Sequence, residues 1–184
     1  CVIPFARGRS RSREITNLLE EARALVQRGA KELVLTGVNL GCYNYEGLDI
    51  ADVVNRLNEL PGLRRIRISS IEPTTIPEAL LECMAAPDHA LVPYLHIPLQ
   101  SGSDRVLGLM KRKYTRREFT DFLDEANRRV PSLCIGTDIM VGMPGETEAD
   151  FEETLEVAEE VGYDGAFTFI FSPRRGTLAA EMGE

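Results

Sequence analysis

Apolar positions recur along this chain in two alternating rhythms. In residues 14–28 (EITNLLEEARALVQR), Ile15, Leu18, Leu19, Ala22, Leu25 and Val26 fall three or four apart. That spacing predicts a helix with one apolar face, stopped by Gly29. The short apolar run KELVLTG at 31–37 then reads as a buried strand. The alternation repeats down the chain. Helices are predicted over 49–60, 77–86, 103–110, 115–130 and 147–162, with Pro61-Gly62 closing the first of these. Strands are predicted over 64–71 (RRIRISSI), 92–99 (VPYLHIPL), 134–142 (CIGTDIMVG) and 164–172 (DGAFTFIFS). Five strands separated by helices imply an α/β fold with parallel strands and right-handed crossovers, either a (β/α) barrel or an open doubly wound sheet. No linker or low-complexity stretch divides residues 1–184, which read as one domain.

In both architectures chemistry collects at the C-terminal ends of the strands. The unusual residues of this chain stand there. Thr36, Gly37 and Asn39 follow the first strand, and Ser69, Ser70 and Glu72 follow the second. Gln100 and Ser101 follow the third, Asp138 and Gly142 mark the fourth, and Arg174 follows the fifth. Glycine lets backbone amides approach a ligand, while Ser, Asn and Gln offer neutral donors and acceptors. Such a set suits an amino-acid or ribose moiety. Neither GxxxxGKS/T nor GxGxxG is present, which disfavours a nucleoside triphosphate. Asp138 is costly in an apolar strand unless it has a partner, which points to a functional role. Glu72 reads equally as a ligand contact or as an ion-pair partner of an arginine such as Arg67. His96 reads as a satisfied buried histidine, and His89 as a solvent-exposed loop residue.

The charge balance of −8 argues against a generally basic nucleic-acid surface, but local arginine groups remain. Arg7, Arg9, Arg11 and Arg13 alternate with small residues, and Lys111 to Arg117 form a second group that reads as a solvated face. Arg7, Arg9 and Arg174 are the candidates for RNA contact. No apolar run reaches the roughly 20 residues of a membrane span. The four cysteines, Cys1, Cys42, Cys83 and Cys134, contain no CxxC and suggest a reduced, cytoplasmic compartment. Cys83 and Cys134 read as small core residues, and Cys42 as a loop thiol of open role. Cys1 is a potential metal ligand that cannot hold a cluster alone. A chain opening on cysteine without an initiator Met reads as a piece of a longer protein.

The succession CVIPFARGRSRSR, ELVLTGVNLGCY, RIRISSIEP, LHIPLQSGSDRVLGLMKRKYT, TDIMVGMPGETEADFEETL and FSPRRGTLAAEM resembles the radical S-adenosylmethionine (radical SAM) core of the methylthiotransferases. The resemblance covers essentially the whole chain. It implies a partial (β/α)6 TIM-like barrel, open, with its first strand missing. It matches Cys1 to the third cysteine of a CxxxCxxC motif that binds a 4Fe-4S cluster. Thr36 to Asn39 then meet the methionine end of S-adenosylmethionine. Ser69, Ser70 and Glu72 line the next strand, while Gln100, Ser101 and Asp138 to Gly142 lie near ribose and adenine. Asp138 stands where the general pattern has glycine. The implied activity is radical insertion of a methylthio group at C2 of a tRNA adenosine beside the anticodon. The enzyme would use a second cluster in an N-terminal domain, a C-terminal RNA-binding domain, and flavodoxin or ferredoxin as electron donor. Neither extra domain lies within these residues, so the isolated chain is expected to be inactive. The MtaB-type branch, acting on threonylcarbamoyl-adenosine, is favoured over the MiaB-type branch, acting on isopentenyl-adenosine. The alternatives are another radical SAM enzyme, such as a ribosomal-protein aspartate methylthiotransferase, or a cluster-free RNA-binding barrel.

Overall fold

The computed structural model describes residues 6–182, and Cys1 lies outside them. The chain forms two compact units.

The first unit holds residues 11–97 and 124–135. Helix α1, Ile15–Gln27, buries Ile15 and Ala22. Gly29 ends it in a left-handed conformation (φ 104°), donating its N–H to Val26 O at 2.9 Å. Strand β1, Glu32–Leu35, runs parallel to β2, Arg65–Ile68, with Leu33 opposite Ile66 and Leu35 opposite Ile68. Helix α2, Ile50–Asn58, starts at a capping box. Asp49 accepts from the amides of Ala51 and Asp52, and the Asp52 carboxylate accepts from the Asp49 amide at 2.9 Å. Its buried face is Ile50, Val53, Val54 and Leu57. Helix α3, Glu78–Ala85, buries Leu80, Leu81, Cys83 and Met84. A parallel bridge between Ile66 and Leu91 brings the segment leading to β3, Tyr94–His96, alongside β2. The Ile71 N–H donates to His96 O at 3.1 Å.

Strand β2 is two-faced. Ile66 and Ile68 are fully buried, while Arg65 and Arg67 reach Glu32 on the other face at 2.6 and 3.0 Å. The Arg67 guanidinium lies 5.0 Å from the centre of the Tyr94 ring.

The second unit comprises the described residues before Arg11, residues 98–123, and 136 onward. It contains α4, Asp104–Leu109, and the first part of α5, Arg116–Arg129. Strand β4, Cys134–Val141, pairs in parallel with β5, Gly165–Ile170, from Gly136 opposite Gly165 to Val141 opposite Ile170. Helix α6, Glu148–Val161, opens on a Thr147–Asp150 capping box and ends at left-handed Gly162. Leu99, Leu107, Phe119 and Leu123 are buried to within 1% and anchor the core, each contributing about 1.5–3 kcal/mol. Every residue of β5 is exposed. A short helix α7, Leu178–Glu181, follows.

The five strands and six long helices stand where the pattern predicts them, trimmed by one to three residues per end in all but a few cases. The trimmed residues turn into the strand-end loops. Two three-residue 3-10 turns, Leu40–Cys42 and Pro73–Thr75, are too short to show a periodicity and were not expected. Two side-chain expectations are corrected. Cys134 is exposed, because it is the first residue of β4. His89 is half-buried: Nδ1 accepts from the Leu91 amide at 2.9 Å, Nε2 is enclosed, and burial pushes its pKa down. Cys83 is buried as expected, its thiol donating to Asn55 Oδ1 at 3.4 Å. His96 is buried as expected.

Candidate functional site

In the first unit the loops after β1 and β2 are latched together. Asn39 Oδ1 accepts from the Gly41 N–H at 3.2 Å and from the Thr75 hydroxyl at 3.2 Å. The Thr75 hydroxyl also lies 2.9 Å from Glu72 O, and Asn39 Nδ2 points at Glu72 Oε2 at 3.5 Å. Gly41 is obligatory here, since a Cβ would sit 2.2 Å from Thr75 Oγ1. The Asn39 side chain therefore shapes the loop. Thr36 and Gly37 are exposed, and Ser69, Ser70 and Glu72 are half-buried. The Ser69 amide extends the parallel ladder to Leu35 O at 2.9 Å. Arg67, the partner suggested for Glu72, pairs with Glu32.

In the second unit Gln100 stands out. It adopts φ +68°, a conformation that costs a non-glycine residue about 1–2 kcal/mol, and only 9% of it is exposed. Its backbone is clamped to β4: its N–H donates to Asp138 O and its carbonyl accepts from the Met140 N–H, both at 2.8 Å. Its side-chain amide makes no hydrogen bond among the described residues.

Ser101 is fully buried, and its hydroxyl lies 3.2 Å from both Thr154 Oγ1 and the Ser103 N–H. Its side chain thus faces α6. Gly102 packs on the same helix, its N–H donating to Thr154 Oγ1 at 2.8 Å. A Cβ there would meet Glu153 O at 2.4 Å. Asp138 is half-buried on β4, and Gly142 begins the following loop at φ +74°. The Glu146 carboxylate accepts from the Gly142 and Met143 amides, closing that loop.

One carboxylate joins these segments. Asp150 accepts from Ser103 Oγ (2.6 Å), Arg105 Nε (3.2 Å), Arg105 Nη2, and the Thr147 N–H (2.8 Å) and hydroxyl (2.5 Å). Arg105, followed by Ser103 and Thr147, holds its carboxyl far below the usual range. Sequence reasoning missed Thr154, Asp150 and Arg105. The Thr147-to-Asp150 spacing was a readable capping signal, whereas the partners from Ser103 and Arg105 lie some 45 residues away along the chain.

A side-chain amide without an internal partner, beside glycine-bearing strand ends, fits a neutral, hydroxyl-rich ligand such as a ribose. The described residues do not supply a cluster site. Their free cysteines are Cys42, Cys83 and Cys134, and among them no group of three or more His, Cys, Asp or Glu could hold a metal ion. Arg7, Arg9 and Arg174 are exposed. No helix of the described residues is long and apolar enough to cross a membrane.

Parallel strands alternating with helices, polar at their C-terminal ends, define a cofactor-dependent α/β enzyme core of the partial TIM-like kind. The chain belongs to the Radical SAM superfamily, whose profile matches residues 1–158. The cofactors of that family are S-adenosylmethionine and a 4Fe-4S cluster. The chain is 40% identical over 185 residues to the tRNA-2-methylthio-N(6)-dimethylallyladenosine synthase of Alkaliphilus oremlandii, covering 99% of this chain and 39% of that protein. It is 42% identical over 187 residues to the protein of the same name from Desulfitobacterium hafniense, covering 100% and 42%. The chain thus spans about two-fifths of these relatives' length.

The fold is shared with coproporphyrinogen III oxidase from Escherichia coli, a radical SAM enzyme (TM-score 0.66, 17% identity, 92% of this chain and 40% of that one). It is also shared with a radical S-adenosylmethionine methyltransferase from Kitasatospora setae, solved with cobalamin and a 4Fe-4S cluster (TM-score 0.67, 13% identity, 86% and 31%). The preference for the threonylcarbamoyl-adenosine branch finds no support in these relatives.

Proposed function

We propose that this chain is the catalytic core of a tRNA methylthiotransferase that modifies C2 of N6-dimethylallyl (isopentenyl) adenosine beside the anticodon. The observation that carries this reading is the 40% identity, along 99% of the chain, to a protein named for that product. S-adenosylmethionine and the cluster supply the radical chemistry, and the protein binds, orients and excludes water. Thr36 and Gly37 would present backbone, and Ser69, Ser70 and Glu72 polar groups, to the methionine end of the cofactor. Asn39 holds the Thr36–Asn39 loop to the Glu72 loop. Gln100 would offer its amide to the ribose, with Asp138 also near ribose and adenine, while Gly142 would let the backbone approach the adenine. Ser101 keeps the Gln100 loop on α6. Cys1 would contribute one thiolate to the cluster. Exposed Arg7, Arg9 and Arg174 are the proposed RNA contacts, in a cytoplasmic enzyme reduced by flavodoxin or ferredoxin.

The test is expression of the full-length gene in a bacterial strain lacking the modification, followed by mass spectrometry of tRNA nucleosides. The expected product is 2-methylthio-N6-dimethylallyladenosine. Methylthiolation of threonylcarbamoyl-adenosine alone, or of no tRNA nucleoside, overturns the reading.

A further inference from the structure

Two loops of the second unit, Gln100–Ser103 and Gly142–Glu146, belong to different stretches of sequence, and the Arg105–Asp150 pair ties them. Arg105 Nη2 donates to Gly145 O at 2.6 Å, while Nε and Nη2 grip Asp150. Asp150 in turn holds Ser103 Oγ at 2.6 Å and the Thr147 amide at 2.8 Å. Asp150 is buried, whereas half of the Arg105 side chain is exposed. A fork anchored on a buried carboxylate has few rotamers left, so its contact with the Gly145 carbonyl is preorganised. Gly145 sits at φ +84° and Gly142 at φ +74°, a backbone that strays readily unless held. Glu146 closes the loop on itself through the amides of Gly142 and Met143, but it reaches no second segment in the bonds it makes. Among the described residues the loop's far end is otherwise held by the Thr147–Asp150 cap, which leads back to the same carboxylate.

We infer that Arg105 is a positioning residue: anchored on Asp150, it sets the Gly142–Glu146 loop in register with the Gln100–Ser103 loop, and so completes the ribose and adenine end of the cofactor site. This rests on the cofactor reading above. Arg105 touches no reacting atom. Its loss should weaken cofactor binding while leaving the chemistry of the bound complex intact.

The test has two arms. In the cofactor-free protein, amide hydrogen exchange is followed across residues 142–147 in wild type, Arg105→Gln and Arg105→Lys. Arg128→Gln, an exposed arginine paired with Glu125, is the control. Arg105→Gln should speed exchange in that segment about tenfold without changing α2, and Arg105→Lys should lie between it and wild type. In the cluster-loaded full-length enzyme, Arg105→Gln should raise KM for S-adenosylmethionine about 10- to 100-fold with kcat nearly unchanged, and Arg105→Lys should recover part of the loss. A residue acting through stability alone would lower kcat through the active fraction and leave KM in place. If Arg105→Gln folds poorly, Arg105→Lys is the deciding variant in both arms. Exchange and KM both equal to wild type in the folded variants overturn the inference. Wild-type protein that loads a cluster yet does not bind S-adenosylmethionine overturns the cofactor reading instead, and the exchange arm still decides whether Arg105 holds the loop.

Discussion

Thr154 tests whether the Gln100–Ser103 loop is held by packing or by hydrogen bonds. It is 2% exposed on α6. Its hydroxyl accepts from the Gly102 N–H at 2.8 Å, lies 3.2 Å from Ser101 Oγ, and donates to Asp150 O at 3.1 Å. Thr154→Val keeps the volume and removes the hydroxyl. The Gly102 N–H then stays buried without a partner, which costs about 1–3 kcal/mol. The Ser101 hydroxyl loses its acceptor as well, so the total reaches about 2–4 kcal/mol, offset in part by the better burial of a methyl. Thr154→Ser keeps the hydroxyl and loses one buried methyl, about 1 kcal/mol with the small void it leaves. The expected order of stability is wild type, then Ser, then Val. The assay is urea denaturation with the slope held common, reading the midpoints. A packing account predicts wild type and Val alike, with Ser the least stable. A Val midpoint at or above that of Ser would refute the hydrogen-bond account.

The Asp150 carboxyl is held below its unfolded value, near 3.9, by Arg105, Ser103 and Thr147. A depressed folded pKa adds stability that is fully present above the unfolded pKa and is lost as pH falls toward the folded one. Urea midpoints should therefore decline more steeply below about pH 4 in wild type than in Asp150→Asn, and parallel slopes would count against the assignment. Cys42 and Cys134 are exposed, whereas Cys83 is buried and its thiol is pushed up by that burial. Iodoacetamide should alkylate the first two in the native protein and Cys83 only on unfolding, as read by peptide mass spectrometry. Gln100→Gly relieves about 1–2 kcal/mol of backbone strain and forgoes the burial of two methylenes, about 1.6 kcal/mol. Its urea midpoint should stay near wild type while retention of S-adenosylmethionine weakens; a loss of stability beyond about 3 kcal/mol would show that the side chain serves the fold.

The alternation of periods carried the element order. Six apolar positions at helical spacing and a following glycine were enough for α1, and Ile66 and Ile68 for β2. Placement of candidate residues at strand ends followed from that order, because parallel strands leave only one end for chemistry. What was hidden is tertiary. Asn39 looked like a ligand group, yet its amide caps a three-residue turn and holds Thr75, which lies 36 residues on. Ser101 looked like a hydroxyl donor and is turned toward Thr154, 53 residues on. Cys134 looked like core because its strand is apolar, but the first residue of a strand lies at its open end. His89 looked exposed because its loop is polar, yet the loop folds back so that His89 accepts from Leu91. In each case a local polar residue was legible, and the group it serves was not.

Gln100 shows how the two levels conflict at a site. Among the described residues, four other than glycine have positive φ: Glu46, Lys111 and Ser132, which are exposed, and Gln100, which is buried. The exposed three sit in turns where water satisfies whatever the chain leaves open. At residue 100 the strained backbone is stabilised by two 2.8 Å bonds to β4, and glycine would make both without the strain. Glycine occupies the neighbouring left-handed positions 142 and 145. Folding alone therefore gives no reason for a glutamine here. Its side-chain amide, on a residue only 9% exposed, has donors and an acceptor left over for solvent or a ligand. Backbone strain held at a glutamine, at the C-terminal end of a parallel strand, is what singles this position out as the proposed ribose contact.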